Sequence, residues 1–111
     1  MSMKYSMDVN ETYSLIRIEG SMSDDFLREI RNVFEEAQSK ELPIIVDIRD
    51  VSFISSSGLG LLFNSNSRMK SKGRRLVVFG AREEIRRLFA VTRIENHIAL
   101  GETFDEALGK I

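Results

Sequence analysis

Three consecutive hydroxyls, Ser55, Ser56 and Ser57, are followed by Gly58 and separate a β-branched apolar run from a leucine-rich one. Serines at such a handover from strand to helix lie beside the unpaired N–H groups of the helix's first turn. A hydroxyl there caps the helix, or it carries a phosphate, because first-turn amides and the positive end of the helix dipole favour added negative charge. Residue type and spacing leave both readings open. Other chemistries find less support in the chain. Gly58 and Gly60 allow close backbone approach, but a dinucleotide fingerprint needs glycine where Phe63 stands, and no Gly-Lys-Ser/Thr follows for a phosphate-binding loop. A nucleophile elbow centred on Ser56 needs glycine in place of Ile54. The chain has no cysteine and a single histidine, so thiol redox chemistry and thiolate metal sites are excluded, and a Ser-His-Asp triad would rest on His97 alone. His97, beside Ile98 and Leu100, reads as a hydrogen-bonded structural histidine in an apolar strand. The pairs Asp24-Asp25, Glu35-Glu36 and Glu83-Glu84 are neighbours on helix surfaces, not convergent carboxylates. No enzymatic activity, cofactor or metal is expected.

Charge narrows the partners. Lys and Arg number 16 against 17 Asp and Glu, a net charge of -1, which does not suit a protein that coats nucleic acid or an anionic membrane. Residues 1–60 hold 6 basic and 11 acidic side chains and residues 61–111 hold 10 basic and 6 acidic, so an acidic half precedes a basic one. Within the second half Arg68, Lys70, Lys72, Arg74 and Arg75 are clustered, but no aromatic residue interleaves to stack bases. Cations near a helix C-terminus are favoured by its dipole, and no nucleic-acid partner is expected. The first residues lack a basic stretch followed by an apolar run, and no segment approaches the ~18 apolar residues of a membrane span. The expectation is a cytoplasmic protein with no membrane span. Its 111 residues make one domain, 1–111.

The elements that must hold the serines follow from periodicity. Tyr5, Met7 and Val9 alternate with polar residues, and Tyr13, Leu15, Ile16 and Ile18 follow, which predicts a hairpin with a tight turn at Asn10-Glu11 and an end at Gly20. From Ser23 the period changes. Phe26, Leu27, Ile30, Val33, Phe34 and Ala37 recur at three- and four-residue intervals, an amphipathic helix that Ser21 or Ser23 caps and whose dipole Asp24 and Asp25 complement. Pro43 leads into Ile44, Ile45, Val46 and Ile48, a run apolar enough for a central strand covered on both faces. After the serines, Leu59, Leu61, Leu62, Phe63 and Met69 make a second helix that stops near Gly73. Leu76 to Phe79 is a further strand, Glu83 to Phe89 a short helix, His97 to Leu100 the last strand and Thr103 to Leu108 a terminal helix. The fold class is therefore α/β: a mixed sheet of about four to five strands with an N-terminal hairpin, packed against about four helices.

The stretch Val46-Asp47-Ile48-Arg49-Asp50-Val51-Ser52-Phe53-Ile54-Ser55-Ser56-Ser57-Gly58-Leu59-Gly60-Leu61-Leu62 resembles the signature of STAS domains of the anti-sigma factor antagonist type. That signature runs V-x-D-[LI]-x-x-V-x-[FY]-[IM]-D-S-[SAT]-G-[LI]-G, and the order of strands and helices extends the likeness over nearly the whole chain. The resemblance implies a regulatory binding domain. Its partner would be an anti-sigma factor that is also a serine kinase, the phosphorylated residue would be Ser56, and a PP2C-type phosphatase would reverse the modification. The implied partner-binding residues are Ser23, Asp24, Ser55, Ser56, Ser57, Gly58, Leu59 and Gly60. Two acids of the pattern are replaced: the aspartate before the phosphorylated serine is Ser55, and the aspartate near the start of the first helix corresponds to Ser23 in Gly20-Ser21-Met22-Ser23. Asp24 follows one residue later, a displacement of about 100° on a helix, so spacing alone does not make it a substitute. The alternative implied by the same likeness is a STAS interaction module of a non-sigma system, a sensory scaffold or lipid-transport component, without phosphorylation.

Overall fold

The computed structural model describes residues 2–111. Its first reversal is made by Asn10, whose Oδ1 accepts the N–H groups of Thr12 at 2.7 Å and Tyr13 at 2.8 Å. This side-chain turn separates β1 (Met3–Val9) from β2 (Ser14–Met22), so the reversal is wider than the tight Asn10-Glu11 turn expected. The pairing of β1 with β2 ends at Gly20 as expected, but β2 itself does not end there. At φ +90°, with its Cβ position filled by the Ser2 carbonyl, Gly20 takes a backbone shape closed to other residues and lets β2 continue to Met22.

After a 3-10 turn at Asp24–Phe26 the chain forms α1 (Leu27–Ser39), β3 (Ile44–Ile54), α2 (Ser56–Ser71), β4 (Leu76–Phe79), α3 (Glu83–Thr92), β5 (Ala99–Gly101) and α4 (Phe104–Leu108). The five strands lie side by side in chain order, β1 antiparallel to β2 and every later pair parallel. This is the expected α/β mixed sheet, with β3 at its centre. Ile16, Ile18, Val46, Ile48, Leu76 and Val78 point to one face, where α1, α2 and α3 cover them; Ile45, Val77 and Phe79 point to the other, under α4.

β3 is longer than its apolar run suggested. On the face covered by α1, α2 and α3 its buried positions are Ile44, Val46, Ile48, Val51 and Ile54, so the two-residue period of a strand lengthens to three after Ile48. Two register shifts against β2 cause this: Arg17 faces Asp47 but Glu19 faces Asp50, and Gly20 faces Val51 but Ser21 faces Phe53. Each bulge adds one residue to β3, and Val51 and Ile54 thereby stay on the helix side.

Helix ends account for the remaining differences. α2 stops as expected at Gly73, where the Arg74 N–H reaches back to the Met69 carbonyl and the Gly73 N–H to that of Lys70, a Schellman closure with Gly73 at φ +72°. α3 continues past Phe89 to Thr92 and ends on Arg93 at φ 55°, a left-handed position held without glycine. His97 precedes the last strand instead of lying in it. Its imidazole is exposed against Phe63, 5.3 Å between ring centres, and its hydrogen bonds are through the backbone: the carbonyl accepts from Asn66 Nδ2 at 2.8 Å and the N–H donates to the Ile94 carbonyl at 2.9 Å. Among the described residues no helix is long and apolar enough to cross a membrane.

Candidate functional site

The end of β3 delivers the serines to the start of α2. Ser55 is the N-cap, with extended backbone, and its Oγ accepts the Gly58 N–H at 3.0 Å. The same hydroxyl donates to Asp24 Oδ1 at 3.0 Å, and the Ser55 N–H donates to the Met22 carbonyl at 3.0 Å. Ser55 thus ties α2 to the end of β2 and to the turn before α1. Because it takes the capping role, Ser56 and Ser57 occupy the first helical positions, exposed, and no hydrogen bond engages their hydroxyls among the described residues.

α2 has no acid in its first turn and carries Arg68 and Lys70 in its last. Its positive end therefore meets Ser56 without a carboxylate of its own, and the nearby carboxylate of Asp24 is engaged by Ser55. Added negative charge at Ser56 would face helix amides. Asp24, one residue after Ser23, brings a carboxylate to Ser55: Ser23 is extended and residues 24–26 wind as a 3-10 turn, and Asp24 Oδ1 accepts from the Ser55 hydroxyl.

The other implied residues divide by depth. Gly58 is buried, and a Cβ there would meet the Met22 carbonyl oxygen at 2.8 Å and Ile54 Cγ2 at 3.1 Å, so the close backbone approach it permits is to its own chain. Ser23 is buried too, with its Oγ lacking a partner, as are Ser21 and its hydroxyl. Neither serine caps the helix through its side chain; the turn is closed by the Phe26 N–H on the Ser23 carbonyl at 3.0 Å. Leu59 is half-buried against the core, while a Cβ on Gly60 would meet nothing within 4 Å. Ser57 and Gly60 open onto a groove between α1 and α2 of about 310 Å³, flanked by Arg31, Gln38, Asn64 and Arg68. Phe53, 44% exposed, adds an apolar surface two residues before Ser55, and neither bulge that orients it is visible in the apolar pattern.

A second polar centre braces the strands. Asp47, with its side chain 3% exposed, accepts from Arg17 Nε at 3.1 Å, from Arg49 Nη2 at 2.9 Å and Nε at 3.1 Å, and from the Arg49 N–H at 3.0 Å. Burial pushes the Asp47 carboxyl upward, but the hydrogen bonds and charge of Arg49 and the bond from Arg17 outweigh it and hold the group below its ordinary value. The Arg49 guanidinium, its own proton held more firmly by Asp47, lies 5.4 Å above the Phe79 ring. No group of three or more His, Cys, Asp or Glu among the described residues is placed to hold a metal ion.

A family model described as the STAS domain matches residues 4–107. Over 82 residues the chain is 27% identical to the anti-sigma-B factor antagonist of Listeria monocytogenes serovar 1/2a, covering 73% of this chain and 72% of that protein. Its fold is similar to the crystal structure of an anti-sigma factor antagonist from Mycobacterium paratuberculosis, with TM-score 0.89, 18% identity, and 99% of this chain and 94% of the other covered. It is also similar to the Bacillus cell fate determinant SpoIIAA in its phosphorylated form, with TM-score 0.73, 20% identity, and 96% and 98% covered.

Proposed function

The chain belongs to the STAS domain family, and from that premise we propose that it is an anti-sigma factor antagonist switched by phosphorylation at Ser56. In this reading the unmodified chain binds an anti-sigma factor that is also a serine kinase, the kinase inactivates it by phosphorylating Ser56, and a PP2C-type phosphatase restores it. The chain acts by binding and performs no catalysis itself. The observation that supports the reading is the division of labour among the serines: Ser55 uses its hydroxyl on the cap and on Asp24, which leaves Ser56 and Ser57 exposed with unengaged hydroxyls at the helix start, and the family pattern selects Ser56 of the two.

Phosphate adds about -1.5 to -2 charges, and the amides and dipole of α2 accommodate them without unfolding. A partner surface fitted to a neutral hydroxyl must bury that charge. The cost is several kcal/mol, and each ~1.4 kcal/mol is about tenfold in affinity. Ser56, Ser57, Leu59, Gly60 and Asp24 would form the contact, while the buried Ser23 and Gly58 hold the surface in shape.

Incubation with its kinase partner and ATP, followed by mass spectrometry, is expected to show one phosphate on Ser56 and none on Ser56→Ala. Ser56→Asp is expected to bind the partner at least about tenfold more weakly, with little change in melting temperature. Modification of Ser55 or Ser57 in Ser56→Ala would refute the assignment. No modification of the wild type would favour the second reading, an unphosphorylated STAS module with another partner, to which the replacement of both family acids by Ser23 and Ser55 lends support.

A further inference from the structure

β1 is an edge strand of seven residues, and among the described residues its outer side pairs with nothing. Which of its amides face outward follows from the ladder. Ser21 donates to the Ser2 carbonyl and Asn10 to that of Tyr13, and across β1 and β2 the residue numbers run in constant register, so the even positions bond to β2. The N–H and C=O groups of Met3, Tyr5, Met7 and Val9 therefore point away from the sheet. The side chains of those four residues lie on the helix side, yet only Met3 and Met7 pack against the core; Tyr5 is 49% and Val9 44% exposed. Lys4, Ser6 and Asp8 project from the opposite face.

A long edge with an apolar stripe invites strand addition unless something blocks it. Here the sequence is complementary to itself. Two β1 strands set antiparallel about Ser6 place Lys4 of each copy opposite Asp8 of the other, Tyr5 opposite Met7, and Met3 opposite Val9. In that register the pairs made by Tyr5, Met7, Met3 and Val9 are the hydrogen-bonded ones, as their outward amides require. Lys4 and Asp8 fall at the non-hydrogen-bonded pairs, where side chains come closest. A shift of the register by two residues in either direction separates the opposite charges.

We propose that β1 is the contact between two copies of this chain, joined edge to edge about a two-fold axis at Ser6 into a continuous ten-stranded sheet. The partner is a second copy because one seven-residue strand meets the backbone, apolar and charge requirements of its own reverse.

Sedimentation equilibrium of the full chain over a concentration series tests this, and is expected to show a reversible monomer–dimer equilibrium. Asp8→Lys, which sets lysines against each other twice per dimer, is expected to weaken association at least about tenfold. Lys4→Asp has a similar effect, and the two combined restore dimerisation to near the wild-type level. Since Lys4 also lies across from Glu19 in its own chain, Lys4→Asp carries a cost in folding that Asp8→Lys, opposite Leu15, does not. Hydrogen exchange of the wild type gives a reading free of variants: protection of the Tyr5 and Met7 amides rises with concentration, while that of Lys4 and Ser6 does not. A chain that stays monomeric throughout the series overturns the proposal. So does a dimer in which the Tyr5 and Met7 amides exchange at a concentration-independent rate, or one that a folded double variant fails to regain.

Discussion

The Ser55 hydroxyl stands between a donor, the Gly58 N–H, and an acceptor, the Asp24 carboxylate, and a replacement must satisfy both. Aspartate, the residue of the family pattern, keeps the cap acceptor but turns the bond to Asp24 into a repulsion between carboxylates. Ser55→Asp is therefore expected to lower stability by about 1 kcal/mol, with recovery when Asp24→Asn is added, as read from denaturation midpoints. If Ser55→Asp instead stabilises the fold and speeds phosphorylation of Ser56, Asp24 is not the acid that serves this site. Gly58 makes a sharper test. The Met22 carbonyl and Ile54 crowd its Cβ position, and Gly58→Ala is expected to cost about 1–3 kcal/mol through overpacking, a drop in melting temperature that appears without any partner present. The handover from strand to helix was legible in the sequence, because capping rules mark the serine run and the family pattern singles out Ser56 within it; that Ser55 takes the cap was not. Asp24 is among the residues the resemblance implies, but its bond with Ser55 was not legible, since an α-helical rotation of about 100° per residue was the wrong geometry for a segment that winds as a 3-10 turn.

Among the elements, β3 shows where periodicity misleads. Its first half is an apolar run, and it ends at Ile48 only if a strand must keep a period of two; the bulges between the partners of Arg17 and Glu19 and between those of Gly20 and Ser21 change the spacing and carry the strand on to the serines. The stop of α3 was hidden for a different reason, because Arg93 takes the left-handed position that glycine usually marks. The Asp47 cluster is the charged brace of the central strands and gives the fold a pH signature. A carboxyl held below its unfolded value contributes stability that is full above that unfolded value, near pH ~4, and is lost as pH falls through the lower folded one. Asp47→Asn is expected to be less stable than wild type by about 1–3 kcal/mol at neutral pH, and the gap to close as acid protonates the wild type. Denaturation at neutral pH and at pH ~3 measures it; equal stabilities at neutral pH would show that the two arginines gain nothing from the carboxylate.

At the scale of the whole molecule, the alternation of strand and helix was enough to give a mixed sheet in an α/β fold. It could not give the division of helices, three on one face and α4 on the other, because that depends on which strand positions the bulges and loops turn inward. Folding splits the basic run, with Lys70, Arg74 and Arg75 lining one groove of about 420 Å³ and Arg68 turned to another. Arg68 flanks the groove between α1 and α2, Arg74 lies 4.0 Å from Glu41, and Arg75 donates to the Lys110 carbonyl at 3.2 Å. Binding to an oligonucleotide is accordingly expected to vanish near ~0.15 M salt, and submicromolar affinity at that salt would contradict the reading. The order of the strands has its own consequence for synthesis. Since each strand takes its place beside the one made just before it, the sheet can be laid down row by row as the chain leaves the ribosome. The hairpin comes first, every later strand joins the newest edge, and none has to wedge itself between two already paired.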